Sequence, residues 1–229
     1  DQIEKGGYDH FMIKEIHEQP KAITDTYRGR MLADQGIIKM SGIDNNLERF
    51  LNAERIIVVA CGTSWHAGLV GEYLIEDLAR IPVEVEYASE FRYRNPIIEK
   101  GDIVIAISQS GETADTLAAI EMAKSKGAIV LGICNVVGSS IARVSDEGAY
   151  THAGPEIGVA STKAFTAQLT VLSIMALIMA RERETLSKNQ INDLIIALEQ
   201  IPAKAQRLLD GAKKIEFIAE QYKDARNFL

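Results

Sequence analysis

Short apolar runs alternate with helical patterns along this chain, and that alternation limits the possible folds more than any other feature. The first run, Ile-Ile-Val-Val-Ala-Cys at 56–61, is continuous and β-branched, as expected for a strand covered on both faces. A helical pattern follows at 64–80. Further strands are predicted at 82–87, 103–107, 128–134 and, more weakly, 148–152.

Predicted helices separate these strands. They cover 114–125, a short turn at 139–144 and a long segment at 162–183. Strands that alternate with helices imply right-handed crossovers and a parallel sheet with helices on both faces. We therefore predict an α/β fold, a three-layer α/β/α sandwich with a parallel, flavodoxin-like sheet of about five strands.

Helices are also predicted on both sides of this α/β segment. Two of them, at 8–19 and 22–30, are split by Pro20, and their apolar face is expected to pack on another element or on a partner subunit (Phe11, Met12, Ile16 and Ile23). Amphipathic helices follow at 188–198 and 203–222, and 226–229 resembles the start of another strand. We predict three segments: an N-terminal linker with helices (1–45), the α/β domain (46–185) and C-terminal helices (186–229). The chain has no initiating Met, so we expect it to be part of a longer polypeptide.

Composition argues against several function classes. The net charge of −7 and the absence of a basic run disfavour nucleic acid or an anionic membrane as a partner. Cys61 and Cys134 lack metal-ligand spacing, which favours free thiols in the reducing cytoplasm. The apolar stretch at 169–180 is shorter than the roughly 20 residues of a membrane span, so we predict a buried helix. The four histidines are scattered, which predicts no metal site (His10, His17, His66 and His152).

Two hydroxyl-rich loops follow predicted strands and precede predicted helices. Residues 108–113 read Ser-Gln-Ser-Gly-Glu-Thr, and residues 61–64 read Cys-Gly-Thr-Ser. Hydroxyls, an amide and backbone N–H groups at a helix N-terminus can hold a phosphate without Lys or Arg. Ligands of such sheets lie where the strand order reverses, so we expect the two loops to be neighbours. A plain helix cap remains the alternative for Ser64.

A third loop of this kind, at 154–163, precedes the long helix and is expected to reach over the same pocket. Ser161 or Thr162 is predicted to cap that helix. Glu156 is a weak candidate for acid–base chemistry, and a structural hydrogen-bonding role is favoured for it. Lys163 lies in the first turn of the helix, where we expect a solvated or partner-facing charge.

These loops carry a family resemblance. The sequence resembles the sugar isomerase (SIS) domain family, in the branch that forms the isomerase half of fructose-6-phosphate aminotransferases. The resemblance covers nearly the whole chain and rests on several motifs in order: Gly7-Tyr8-Asp9-His10-Phe11-Met12, Cys61-Gly62-Thr63-Ser64, Ser108-Gln109-Ser110-Gly111-Glu112-Thr113, Ile133-Cys134-Asn135-Val136-Val137-Gly138 and Glu156-Ile157-Gly158-Val159-Ala160-Ser161-Thr162-Lys163.

The resemblance implies a ligand and a role for ten residues. The ligand is fructose 6-phosphate or glucosamine 6-phosphate, bound without a cofactor or a metal. One set of residues corresponds to the family's phosphate site (Ser64, Ser108, Gln109, Ser110 and Thr113). A second set corresponds to its sugar site (Cys61, Gly62, Thr63, Val159 and Ser161).

The resemblance also implies what surrounds this segment. Enzymes of this branch form amino sugars from fructose 6-phosphate and glutamine, and they join a glutaminase domain to two SIS domains. Their acid–base residues lie in the second SIS domain, so no catalytic residue is expected here and the isolated chain is predicted to bind without catalysing. A homodimer is expected, to which the helix at 162–180 could contribute. Two alternatives stay open: a non-enzymatic SIS sensor of sugar phosphates and a single-domain sugar-phosphate isomerase.

Overall fold

The computed structural model describes residues 4–227, and its first elements are short helices and a small hairpin. Helices α1 (Phe11–His17) and α2 (Gln19–Tyr27) precede the antiparallel pair β1 (Met31–Leu32) and β2 (Ile37–Ile38), and α3 (Ser41–Asp44) and α4 (Leu47–Leu51) follow. Pro20 is the second residue of α2. Proline is tolerated in a first turn because an N–H there has no helical partner, so Pro20 begins this helix instead of interrupting one.

The α/β segment alternates strands and helices as predicted. Its elements are β3 (Ile56–Ala60), α5 (Gly62–Ala79), β4 (Val83–Tyr87), α6 (Ala88–Tyr93), β5 (Ile103–Ser108), α7 (Ala114–Ser125), β6 (Ile129–Cys134), α8 (Ser140–Val144), β7 (Glu147–Tyr150) and α9 (Lys163–Glu182). Three further helices follow, namely α10 (Lys188–Glu199), α11 (Ile201–Asp210) and α12 (Ala212–Tyr222).

The described strands β3 to β7 form one parallel sheet in the order β4-β3-β5-β6-β7. Strands β3 and β5 are neighbours in register, with Ala60 opposite Ile107. The chain turns from β3 outward to β4 and then returns to β5, so the strand order reverses between these two strands. The loops after them therefore meet at the carboxyl edge of the sheet. The predicted three-layer α/β/α fold with a parallel, flavodoxin-like sheet is confirmed.

The sheet divides the hydrophobic core into two layers, because successive side chains of a strand point to opposite faces. On β5, Ile103 and Ile105 face one layer, which α5 and α9 cover. Val104 and Ala106 face the other layer, which is filled by Phe91 of α6 and by residues of α7. Apolar burial on both faces explains why the strand runs are continuous instead of alternating.

Helix α9 is deeply buried in the layer that it shares with α5. It is long and apolar enough to cross a membrane, but 78% of its most apolar window is buried inside the structure. Fourteen of its twenty residues are buried. The predicted buried helix at 169–180 is thus confirmed. Since α9 is covered by its own chain, little of it is left exposed for a dimer contact.

The flanking helices differ in detail from the predicted ones. Helix α2 packs on α9 and α11, and Ile23 is buried within the chain. The predicted helix at 203–222 is two helices, α11 and α12, separated at Gly211. The predicted strand start at 226–229 falls partly on residues 228–229, which lie outside the described residues. The segment boundaries after 45 and 185 stay a prediction.

Candidate functional site

A cleft of about 460 Å³ lies at the carboxyl edge of β3 and β5. All ten residues predicted to bind a sugar phosphate line it, together with a few others. Its described lining contains neither Lys nor Arg and consists of Cys61, Gly62, Thr63, Ser64, Ile107, Ser108, Gln109, Ser110, Thr113, Glu156, Gly158, Val159, Ala160 and Ser161. Three loops that are far apart in sequence thus converge on one polar pocket.

The loop after β5 is held by its own hydroxyl groups. The Oγ atom of Ser108 lies 2.9 Å from Oγ1 of Thr113 and accepts the N–H of Gly111 at 3.0 Å. The Oγ atom of Ser110 accepts the N–H of Glu112 at 3.2 Å. Ser110 thus keeps its own proton available for donation, and the pair of Ser108 and Thr113 keeps one, because one hydroxyl of the pair donates to the other. The loop is therefore arranged as a set of hydrogen-bond donors at the start of α7.

Gly111 permits the turn of this loop. Its φ of +67° lies in the left-handed region, and a Cβ atom there would overlap the side chain of Ser139. The loop is also tied to α8, since the N–H of Ser140 donates to Oε1 of Glu112 at 2.8 Å. Hydrogen bonds from Ser140 lower the pKa of the Glu112 carboxyl group, so it stays ionised. Both contacts fix the loop against the neighbouring element.

The loop after β3 leads directly into α5. Ser64 is buried in the first turn, and its Oγ accepts a hydrogen bond from Nε2 of Gln168 on α9 at 3.0 Å. The side chain of Ser64 thus lies between α9 and the cleft instead of capping α5. Trp65 stacks on Tyr87 at 4.2 Å between ring centroids, which anchors the start of the helix below the cleft.

Helices α5 and α7 both point their N-termini at the cleft. In the described structure neither of their N-cap residues, Cys61 and Thr113, accepts a capping hydrogen bond with its side chain. The first N–H groups of a helix have no partner inside it, and the helix dipole places about half a positive charge there. The cleft therefore attracts an anion although its described lining includes no basic side chain.

The N-terminus of α9 differs because a carboxylate of the chain already occupies it. Oε1 of Glu156 accepts the N–H groups of Thr162 and Ala164 at 2.9 and 3.1 Å, and Oε2 accepts the hydroxyl of Ser161 at 2.9 Å. Thr162 holds the predicted N-cap position, but Glu156 supplies the capping oxygen. These contacts favour the structural role expected for Glu156 over acid–base chemistry.

The third loop reaches the cleft through Val159 and Ser161. The side chain of Val159 is fully exposed, and Ser161 is half-buried. The expectation for Lys163 is wrong: its side chain is only 5% exposed and pairs with Glu18 at 2.6 Å. A buried charge requires a partner, and the residue at the C-terminal end of α1 supplies it.

Several residues at or beside the site are not predicted from the sequence to belong to it. Ile107, Gly158 and Ala160 also line the cleft. Ile107 and Ala160 have apolar side chains and Gly158 has no side chain, so none of them is recognisable in the sequence as a binding residue. Glu15 of α1 contacts the third loop from behind. Within residues 4–227, no three His, Cys, Asp or Glu side chains form a group suited to a metal ion.

The family model described as the SIS domain matches residues 49–179 of the chain. Glutamine–fructose-6-phosphate aminotransferase (isomerizing) from Bacteroides thetaiotaomicron is 56% identical over 228 residues, and the enzyme of that name from Chlorobaculum tepidum is 57% identical over 229 residues. Each alignment covers 100% of this chain and 37% of the relative, so the chain spans little more than a third of these relatives.

Among solved structures, the chain is similar to the C-terminal domain of glucosamine-fructose-6-phosphate aminotransferase from Francisella tularensis. The TM-score is 0.90 and the sequence identity is 42%. The superposition covers 96% of this chain and 61% of that domain.

Proposed function

Because the chain belongs to the SIS-domain family, we propose that it is the phosphosugar-binding part of a glutamine–fructose-6-phosphate aminotransferase. The observation that supports this most is the cleft at the carboxyl ends of β3 and β5. It combines two helix N-termini with converging hydroxyl groups, and there is no basic side chain among the lining residues that the structure describes. A compact phosphate monoester suits such a set of donors.

In this proposal the phosphate lies between α5 and α7. The hydroxyl groups of Ser64, Ser108 and Ser110 donate to its oxygens, with Gln109 and Thr113 beside them. The uncapped N-termini of α5 and α7 favour its two negative charges, whereas Glu156 already fills the N-terminus of α9. The anion is thus directed to one end of the cleft.

The sugar then extends toward the third loop. Cys61, Gly62 and Thr63 of the loop after β3 line this part of the cleft together with Val159 and Ser161 of the third loop. Anchoring the phosphate at one end fixes the distance to the first two carbons of the hexose, so binding energy orients the carbons that react. Fructose 6-phosphate and glucosamine 6-phosphate both fit this description.

The whole enzyme would convert fructose 6-phosphate and glutamine to glucosamine 6-phosphate and glutamate. We assign this chain the binding of the hexose phosphate and assign no catalytic residue to it, since Glu156 is engaged at the start of α9. We propose that residues 46–185 form the SIS domain, that a glutaminase domain and a second SIS domain belong to the same polypeptide, and that the enzyme is a cytoplasmic homodimer.

Calorimetric titration of the 229-residue chain with fructose 6-phosphate tests the proposal. Replacing both hydroxyls of the loop, as in the double variant Ser108→Ala, Ser110→Ala, is expected to lower the affinity about a hundredfold or more. Hydrogen bonds to a charged group contribute about 1.5–3 kcal/mol each, and 1.4 kcal/mol corresponds to a factor of ten. Unphosphorylated fructose is expected to give no measurable heat of binding.

A matched control removes two exposed hydroxyls outside the cleft, in the double variant Ser41→Ala, Ser125→Ala. This control is expected to bind like the wild type. Equal affinity of wild type and the Ser108→Ala, Ser110→Ala variant would contradict the phosphate assignment.

An activity assay separates the proposal from the single-domain isomerase. A complete isomerase needs an acid or base in the cleft, and Glu156 is the carboxylate among the described lining residues. Since its oxygens accept three hydrogen bonds from the start of α9, we expect no isomerisation of fructose 6-phosphate by the 229-residue chain. Turnover that disappears in the variant Glu156→Gln would instead support the isomerase.

A further inference from the structure

Glu15 of α1 is a buried carboxylate that binds the third loop of the cleft from behind. Its side chain is almost fully buried, with 2% of the residue exposed. Oε1 accepts the N–H of Ile157 at 2.6 Å, and both oxygens accept the N–H of Gly158, at 3.2 and 3.1 Å. Burying a carboxylate is costly unless hydrogen bonds compensate, and here two backbone N–H groups compensate.

The loop that Glu15 holds has no regular secondary structure between β7 and α9. Its position therefore depends on side chains that bind its backbone. Glu156 anchors the C-terminal part to the start of α9, and Glu15 anchors Ile157 and Gly158. Val159, which lines the cleft, is the next residue along the chain. Moving the anchored pair would move Val159 with it.

Gly158 gives independent evidence that α1 and the loop are closely fitted. A Cβ atom at this position would lie 2.6 Å from Oε2 of Glu15 and 3.4 Å from Cα of Met12. Any side chain here would push the loop away from α1. The absence of a side chain at 158 is therefore what allows the carboxylate to reach the backbone.

A second contact fixes α1 itself. Glu18, one turn after Glu15, pairs with the buried Nζ of Lys163 at 2.6 Å. The end of α1 is thus held to the first residue of α9, immediately after the loop. Glu15 and Glu18 together hold the loop and the residue that follows it.

We propose that Glu15 is a positioning residue for the sugar side of the cleft. It holds Ile157 and Gly158 so that Val159 and Ser161 lie against the bound hexose, and it leaves the phosphate end untouched. Helix α1 lies outside residues 49–179, which match the SIS domain. If Glu15 has this role, α1 nevertheless belongs to the binding site. The assignment rests on the proposed function, because it concerns the sugar half of the same ligand.

The experiment compares two probes that share the phosphate end. Fructose 6-phosphate and inorganic phosphate are titrated into the 229-residue chain, as wild type and as Glu15→Ala. We expect the Kd for fructose 6-phosphate to rise about tenfold or more, while the Kd for inorganic phosphate changes less than about twofold. The ratio of the two affinities is the readout, and a loss of overall folding would not change it selectively.

Two further variants keep the test decisive. Glu15→Gln preserves the volume and one acceptor oxygen, so it is expected to fold and to fall between wild type and Glu15→Ala. Hydrogen exchange at the amides of Ile157 and Gly158 should be faster in both variants than in the wild type. Glu121→Ala removes an exposed carboxylate of α7 and is the matched control, expected to change neither affinity.

The possible results separate the two proposals. If the wild type binds neither probe, the proposed function fails and the role of Glu15 fails with it. If the wild type binds both and the Glu15 variants lose both equally or lose neither, the positioning role is wrong while the proposed function stands. Selective loss of fructose 6-phosphate supports the positioning role.

Discussion

Hydrogen bonds within the protein decide in which direction the serine hydroxyls of the cleft point. Ser64 accepts from Gln168, Ser108 accepts from Gly111, and Ser110 accepts from Glu112. A hydroxyl has one proton, so Ser64 and Ser110 keep theirs to donate, and the pair of Ser108 and Thr113 keeps one because one of the two donates to the other. Loops whose described residues include no Lys or Arg can in this way present several donors to one anion.

A substitution of Gln168 tests whether the direction of the Ser64 hydroxyl matters for binding. Gln168 is buried, and its Nε2 lies 3.0 Å from Oγ of Ser64. Gln168→Leu removes the donor, and we expect the Kd for fructose 6-phosphate to rise about fivefold, equivalent to about 1 kcal/mol. Gln168→Glu would accept the Ser64 proton and add a negative charge, so calorimetry should detect no binding.

The exposed Gln206 on α11 provides the control, since Gln206→Leu changes the same group at a residue that does not line the cleft. Unchanged affinity in both Gln168 variants would mean that Ser64 needs no orientation from α9.

The two cysteines lie in different surroundings and should react differently. Burial raises the pKa of the Cys134 thiol to about 11, so that at pH 8 only about one molecule in a thousand is the reactive thiolate. Cys61 lines the cleft and is partly exposed. We expect iodoacetamide to alkylate Cys61 well before Cys134, as measured by mass spectrometry, and fructose 6-phosphate to slow the reaction.

In the variant Cys61→Ala, the remaining thiol should react slowly, and its rate should rise about tenfold per pH unit while the fold persists. Rapid labelling of Cys134 at neutral pH would show that the second core layer opens.

At the scale of elements, the sequence predicts strands better than short helices. Strands β3, β5 and β6 lie within one residue of their predicted bounds because they are buried on both faces and are continuously apolar. The sequence pattern misses helix α6 because only Ala88 and Phe91 of its six residues are buried, which leaves no visible helical period. It misses the hairpin β1–β2 because strands of two residues carry no pattern.

The sequence predicts the parts of the candidate site that directly follow strands. It does not predict the parts whose position depends on residues distant in sequence. The loops after β3 and β5 can be paired from strand order alone. The burial of Lys163 depends on Glu18, which is 145 residues away, and the support from Glu15 spans 142 residues. Local patterns contain no information on such pairs.

The turn that starts α7 gives a prediction about stability. Gly111→Ala places a side chain at φ +67° and into Ser139, so two costs add: about 1–2 kcal/mol for the left-handed conformation and about 1–3 kcal/mol for overpacking. We expect urea unfolding to show a loss of about 2–5 kcal/mol, together with weaker phosphate binding.

Gly138→Ala isolates the first cost, because Gly138 also has a positive φ, +72°, and a Cβ atom there would meet nothing within 4 Å in the described part of the chain. That variant should lose only about 1–2 kcal/mol. Equal losses in the free energy of unfolding at both positions would show that Ser139 moves aside at no cost when residue 111 has a side chain.

At the scale of the whole molecule, burial is uneven along the chain. The sheet and α9 carry most of the two core layers, and Met175 in the middle of α9 is fully buried. By contrast, α11 and α12 contain no buried residue in the described structure, and apolar side chains of α12 are exposed, including Ile215 and Phe217. Segments with little buried apolar surface contribute little to the cooperative free energy of unfolding.

This contrast predicts how the chain responds to a truncation and to a core substitution. Removing residues 212–229 should change the free energy of unfolding by less than about 1 kcal/mol, because α12 buries nothing in the core. Met175→Ala should cost about 2–5 kcal/mol, since it leaves a cavity between α9 and the sheet. Urea unfolding followed by circular dichroism measures both, and calorimetry should find fructose 6-phosphate binding unchanged in the truncated chain. A truncation as costly as Met175→Ala would place α12 in the same cooperative unit as the sheet, and the fold around the site would then depend on a helix that does not line the cleft.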